Sequence, residues 1–238
     1  MTTTYLSSPS NQMTASYMAR MPVLLSFALE ARQTWLQKYI PTFGRVMADS
    51  GAYSEMSSGK VVDLDEYGQW VEEARLTLDA AAALDDIRGD WRRSLRNWDS
   101  LPHTFPVLHD SDPPEYIAAV IERLGDPARA RLRPTDLQWC GIGLVPPRSN
   151  TQFALRMLGM IPPGVHVHLF ALRKIASAAL AVRGFDVSFD STTWLLDAFA
   201  IGKQLPWLTT AECVDLVVRR YQRAIPKPDT STQGDLFS

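Results

Sequence analysis

Arg45-Val46-Met47-Ala48-Asp49-Ser50-Gly51-Ala52-Tyr53 decides the fold: an apolar run ends in an acid and then turns through a glycine. The pattern recurs at Ala82-Ala83-Leu84-Asp85-Asp86, Phe105-Pro106-Val107-Leu108-His109-Asp110 and Val187-Ser188-Phe189-Asp190. Short runs that are apolar on both faces suit buried parallel strands, and polar tips at their ends suit the rim of a barrel enzyme. Working outward, eight such runs alternate with helical patterns, the number that closes a (β/α)8 barrel. The predicted strands are 3–7, 23–28, 45–49, 81–85, 104–109, 137–144, 165–171 and 185–190, the first carrying the weakest signal. Between them, 65–78, 115–124, 151–159 and 174–182 place apolar residues at helical spacing. Asp63 or Asp65 suits a helix cap, Pro113-Pro114 a first turn, and Thr209 or Thr210 caps a last helix that runs to about 225 before Pro226-Lys227-Pro228.

The expected fold is therefore α/β: a single-domain TIM barrel over 1–208, a C-terminal helix over 209–226 and a flexible tail over 227–238. At 238 residues and 46% hydrophobic, the chain can bury one core of that size. It has no apolar run long enough to span a membrane and no signal-peptide pattern, so a soluble, cytosolic protein is expected. Cys140 and Cys213 stand far apart without CxxC spacing, which argues against both a disulfide framework and a structural zinc site. A net charge of −2 gives no global attraction to polyanions. Any nucleic-acid contact must come from a local basic face.

Asp49 and Asp190 are the residues of most chemical interest. Two carboxylates on one rim suit glycosidic-bond chemistry, one attacking the anomeric carbon and the other moving a proton on the leaving group. Tyr53 offers a flat surface beside Asp49. His166 and His168 alternate with Val165 and Val167 and so share one face of their strand; a buried histidine with a satisfied partner explains either without a metal.

In order and spacing these motifs resemble the tRNA-guanine transglycosylases and, more closely, their DNA-directed DpdA relatives. Asp49-Ser50-Gly51-Ala52-Tyr53 is similar to the family's Asp-Ser-Gly-Gly-Phe/Tyr. The resemblance makes Asp49 the general acid/base and Tyr53 the ring that stacks on the base, with Ser50 beside them. Leu84-Asp85-Asp86 resembles Phe-Asp-Glu, whose aspartate reads the guanine edge. His109 falls where the family has a base-recognising glutamine, Gly141 and Gly143 match the glycine pair whose backbone approaches the base, and Phe189-Asp190 resembles the nucleophile segment. The implied activity is exchange of guanine for a 7-deazaguanine derivative through a covalent aspartyl intermediate, without metal or redox cofactor. The chain departs from the tRNA enzymes in following Asp190 with Ser191-Thr192-Thr193-Trp194 and in lacking their zinc-binding cysteines, which favours DNA over tRNA. A flipped base needs a stacking partner, polar groups for its edge and close backbone approach, and these residue types supply them.

Basic residues that follow strand ends, Arg88, Arg92, Arg148, Arg173 and Lys174, are the candidate phosphate contacts. For Arg88, Arg92, Arg93 and Arg96, a solvated helix face balanced by Asp90 and Asp99 is the equal alternative. At the tail, Gln233-Gly234-Asp235-Leu236-Phe237 fits the Gln-x-x-Leu-Phe peptide that holds the bacterial β sliding clamp, with Gln233, Leu236 and Phe237 as anchors. Flipping a paired guanine also makes a strand-opening partner an expectation. The competing readings are a tRNA-directed exchange, a hydrolase using Asp49, His109 and Asp190 as metal ligands, and a non-catalytic DNA- or clamp-binding subunit.

Overall fold

The run Arg45–Asp49 is a strand with the predicted bounds, and its neighbours close a barrel around it. The structure, a computed structural model, describes residues 3–7, 12–31, 33–59, 61–87, 89–124, 126, 138–143, 151–170, 186–191 and 194–223. Among these, eight strands run parallel: β1 (Thr3–Ser7), β2 (Pro22–Ser26), β3 (Arg45–Asp49), β4 (Ala80–Ala81), β5 (Val107–His109), β6 (Gln138–Gly143), β7 (Val165–Phe170) and β8 (Val187–Ser191). Their order is β4-β3-β2-β1-β8-β7-β6-β5, and a parallel bridge between Ala82 and Phe105 joins the two ends. Phe105 N donates to Ala81 O at 2.8 Å and Ala83 N to Phe105 O at 2.7 Å across that seam. Parallel neighbours require crossover connections, and the helices Leu64–Ala74, Pro114–Leu124 and Thr151–Met160 lie between successive strands. The fold is the expected (β/α)8 barrel.

Over β5 to β8, side-chain alternation separates two cores. Val165, Val167 and Leu169 of β7 join Cys140, Ile142, Val187 and Phe189 against the helix residues Val120, Leu124, Phe153 and Met157. The opposite positions, including Tyr5, Met47, Phe105, Val107 and Trp139, fill the barrel with Phe170 packed on them. Each fully buried large side chain contributes about 1.5–3 kcal/mol. Both cysteines are buried free thiols.

Several predicted boundaries need correction. β2 stops at Ser26, because Phe27–Ala31 turns into a π-helical segment. The predicted strand 81–85 shortens to Ala80–Ala81, since side chains from helices take over its backbone: Tyr67 Oη donates to Ala82 O at 2.5 Å, Asn97 Nδ2 to Leu84 O at 2.8 Å, and Ser94 Oγ accepts from Asp86 N at 2.9 Å. The predicted strand 104–109 begins only at Val107, because Pro106 has no N–H for a ladder and Thr104 Oγ1 closes a turn on Leu101 O at 2.7 Å. The caps are as read: Asp63 accepts from Glu66 N at 2.9 Å. Thr209 and Glu212 form a reciprocal capping box at the start of Thr210–Arg223. The predicted helix 174–182 and the tail 227–238 lie outside the described residues. Among the described residues no helix is long and apolar enough to cross a membrane.

Candidate active site at the carboxyl rim

Register places the polar tips together. Asp49 pairs with Ser26 on β2, Asp190 with Tyr5 on β1, and His109 with Gly143 on β6. All stand at or near the carboxyl ends of their strands, where barrel enzymes build their sites.

Asp49 ends β3, and the chain leaves it through Gly51 at φ +86°, a left-handed conformation that favours glycine. A Cβ on Gly51 would also stand 2.3 Å from Ala28 Cβ in the segment after β2. Gly51→Ala is therefore expected to destabilise the fold by at least about 2 kcal/mol, from backbone strain plus a clash that shifts the Asp49 turn. Urea unfolding measures this, and an unchanged midpoint would contradict the geometry. Ser50 is buried, and its Oγ has no hydrogen-bond partner among the described residues. Tyr53, in the first turn of Ala52–Ser58, is 49% exposed and presents a free ring at the same rim.

Burial first, then the Asp85 carboxylate and more weakly that of Asp190, push the Asp49 carboxyl up to about 7, against the backbone of Gly51 and the hydroxyl of Ser26. Although part of the residue stays accessible, the carboxyl itself is desolvated. Near neutral pH about half of this group holds a proton that it can donate. The same shift has a consequence for stability. An unfolded aspartate loses its proton near about pH 4, whereas the folded Asp49 keeps it to about pH 7. The folded state binds the extra proton between those values, so stability falls as pH rises across that window. Asp49→Asn is expected to raise stability at pH 8 by roughly 1–4 kcal/mol and to leave it nearly unchanged at pH 3.5. Urea unfolding at the two pH values reads the difference, and equal effects would rule out a desolvated carboxyl.

Asp85 and His109 are both buried and bonded directly, His109 Nε2 to Asp85 Oδ2. Burial alone would lower the basicity of His109, but the adjacent Asp85 carboxylate outweighs it and the net shift is upward. Gly143 makes room for this ring, because a Cβ there would lie 2.3 Å from His109 Cε1. Gly141 likewise leaves space for Phe170 and Val107, each 2.9 Å from where its Cβ would be. The glycine pair is thus packed against protein side chains, and the two residues read as guanine-edge contacts form one hydrogen-bonded unit. Asp112, absent from the sequence reading, accepts from His109 N at 2.6 Å, and burial pushes its carboxyl up to about 6.

Asp190 sits on β8 with 11% of its side chain exposed. Ser7 Oγ donates to its Oδ2 at 3.3 Å, and His168 Nε2 lies 3.7 Å from its Oδ1. Ser7 and His168 were given no such role from sequence. The available signal was period two: His166 and His168 share one face of β7, and Ser188, which is in register with His168, shares a face of β8 with Asp190.

The chain folds like the YdjI aldolase from Escherichia coli K12. That solved structure superposes with a TM-score of 0.54 over 94% of this chain and 88% of its own, at 11% identity, a likeness of fold. No protein-family model and no curated protein matches the sequence. Among the described residues no group of three or more His, Cys, Asp or Glu side chains is arranged to hold a metal ion.

The candidate nucleic-acid contacts are only partly placed. Arg92 is exposed on Trp91–Ser100 and stacks on Trp91 with its guanidinium carbon 4.4 Å from the ring centre. Arg93 pairs with Glu55 at 3.5 Å and Asp86 at 3.6 Å, and Arg96 with Asp90 at 3.3 Å, as a balanced helix face would. Arg88, Arg148, Arg173 and Lys174 lie outside the described residues, as do Gln233, Leu236 and Phe237.

Proposed function

We propose that the barrel is a DNA guanine transglycosylase that exchanges guanine for a 7-deazaguanine base. The supporting observation is the electrostatic pairing of Asp49 and Asp190 on one rim, with the Asp49 carboxyl pushed up to about 7 and Asp190 accepting from the Ser7 hydroxyl at 3.3 Å. Two carboxyl groups whose environments differ in this way suit an acid and a nucleophile.

In this reading Asp190 attacks C1′ of the target nucleoside as the bond to N9 breaks, and Asp49 gives its proton to the departing guanine. A covalent glycosyl-enzyme results. An incoming 7-deazaguanine then attacks C1′ from the vacated face while Asp49, now a carboxylate, takes its N9 proton. The Asp190 ester bond breaks, configuration is retained, and both carboxyl groups return to their starting forms. Tyr53 supplies an exposed ring for stacking, and the Asp85–His109 pair presents a carboxylate and an imidazole to the edge of the base. Arg92 serves the phosphate backbone.

Incubation with radiolabelled guanine and, separately, duplex DNA, single-stranded DNA and tRNA tests the reading. Label is expected in DNA. Incorporation into tRNA would transfer the activity to RNA, and no incorporation with any polymer, 7-deazaguanines included, would overturn it in favour of a binding subunit. The tail is proposed as a tether to the sliding clamp: deletion of 233–238 is expected to abolish retention on immobilised clamp, and retention of the shortened chain would refute that assignment.

A further inference from the structure

Between β7 and β8 the barrel interior holds a line of polar groups that the reaction above does not use. Asp186 Oδ2 lies 3.1 Å from His166 Nδ1, His166 Nε2 lies 2.8 Å from Ser188 Oγ, and Ser188 Oγ lies 2.9 Å from His168 Nδ1. The line ends at His168 Nε2, 3.7 Å from Asp190 Oδ1. Asp186 precedes β8 with 47% of its side chain exposed, whereas His168 is 0% exposed. The chain thus runs from the end of the barrel where the strands begin to the rim where Asp190 stands.

We propose that this chain makes His168 the positioning residue of Asp190: Ser188 fixes its Nδ1 hydrogen, so that its Nε2 holds a proton toward the Asp190 carboxylate before substrate binds. The catalytic meaning rests on the transglycosylase reading, but the proton arrangement does not. A hydroxyl has one hydrogen, so Ser188 donates to one imidazole and accepts from the other. Burial lowers the basicity of His166, which is neutral at pH 7. Facing a carboxylate, neutral His166 carries its hydrogen on Nδ1 and donates it to Asp186. Its Nε2 then accepts the hydrogen of Ser188, and Ser188 Oγ accepts from His168 Nδ1. That direction leaves Nε2 of His168 as the basic nitrogen, aimed at Asp190 and without a hydrogen-bond partner among the described residues.

A lone pair facing a carboxylate oxygen is unfavourable unless a proton lies between them. A proton taken on Nε2 removes that conflict and sets an imidazolium against the carboxylate. The distance of 3.7 Å is that of an ion pair. The other groups facing His168 leave this assignment intact. The Tyr5 ring meets it edge-on at 5.7 Å with a phenol that burial keeps neutral, and Phe170 meets it at 4.4 Å. Arg45 lies over the Tyr5 ring and is paired with Asp79 at 3.4 Å. On the Asp190 side, the Ser7 hydroxyl also favours the carboxylate, while the Asp49 carboxyl, pushed up to about 7, carries only part of a charge at pH 7.

The test is proton-coupled nitrogen NMR of the full chain labelled with 15N-histidine, titrated between pH 5 and 9, in wild type, Ser188→Ala and Asp190→Asn. His168 is expected to keep its hydrogen on Nδ1 throughout and to take its second proton on Nε2. Asp190→Asn should lower its midpoint by about one pH unit or more, and Ser188→Ala should remove the preference for Nδ1–H. A neutral wild-type His168 protonated at Nε2, or a midpoint indifferent to Asp190→Asn, would overturn the proposal even if a variant failed to fold. In the exchange assay, His168→Gln keeps a donor near Asp190 but no charge. It is expected to lower kcat about tenfold, leave KM unchanged and move the acid limb of kcat/KM to higher pH by about one unit. An unmoved limb would contradict the positioning role, since a packing role alone changes only the amount of folded enzyme. If the NMR pattern holds and no variant or wild type exchanges bases, the function proposed above fails and the proton pairing stands.

Discussion

Under the proposed mechanism, Asp190→Asn is expected to reduce guanine exchange to background, a loss of about three orders of magnitude or more. The amide has nearly the shape of the carboxylate and cannot form the glycosyl ester, so the covalent step loses its nucleophile while binding survives. Asp190 is largely enclosed, with Ser7 and His168 around it, and an amide can accept from Ser7 as the carboxylate does. Retained binding of DNA, measured by fluorescence anisotropy, would accompany the lost exchange. Exchange within tenfold of wild type would show that another group attacks C1′ or that no covalent intermediate forms.

The second large effect belongs to Asp49. Asp49→Asn is expected to lower exchange by about 10²- to 10⁴-fold, the usual range for removing a general acid/base. In wild type the Asp49 carboxyl titrates at about 7, so the rate of guanine departure should fall above that pH as the proton donor is lost. The variant should lack this limb. The same substitution is expected to stabilise the fold at pH 8, so activity and stability move in opposite directions. A residue kept at a cost to stability is one retained for function. A variant that lost both together would mark Asp49 as a structural group.

The barrel was legible because its strands are short, apolar on both faces and evenly spaced, and Arg45–Asp49 shows every one of these signs. Its weak points were where backbone groups find side-chain partners. Leu84 looks like strand, yet Asn97 from a helix takes its carbonyl, a pairing of residues 13 apart that no local period reveals. At the site, Asp49, Asp85, His109 and Asp190 stand on one rim as their places at strand ends implied. The direct bond between Asp85 and His109 was not legible, because it depends on the side-chain directions of two segments 24 residues apart. Gly143 was read as an approach to a base, and its first neighbour is the His109 ring. Ser188 carries no signal of its own in the sequence, and only the register with His168 gives it a role.

Mass spectrometry of the protein quenched in acid during incubation with a guanine-containing DNA oligonucleotide addresses the proposed covalent chemistry directly. The expected result is a protein–DNA adduct that lacks one guanine, maps to Asp190 after digestion, disappears on addition of excess free base and never forms in Asp190→Asn. An adduct on another residue, or exchange proceeding with no adduct at any quench time, would contradict the assignment of Asp190 as nucleophile.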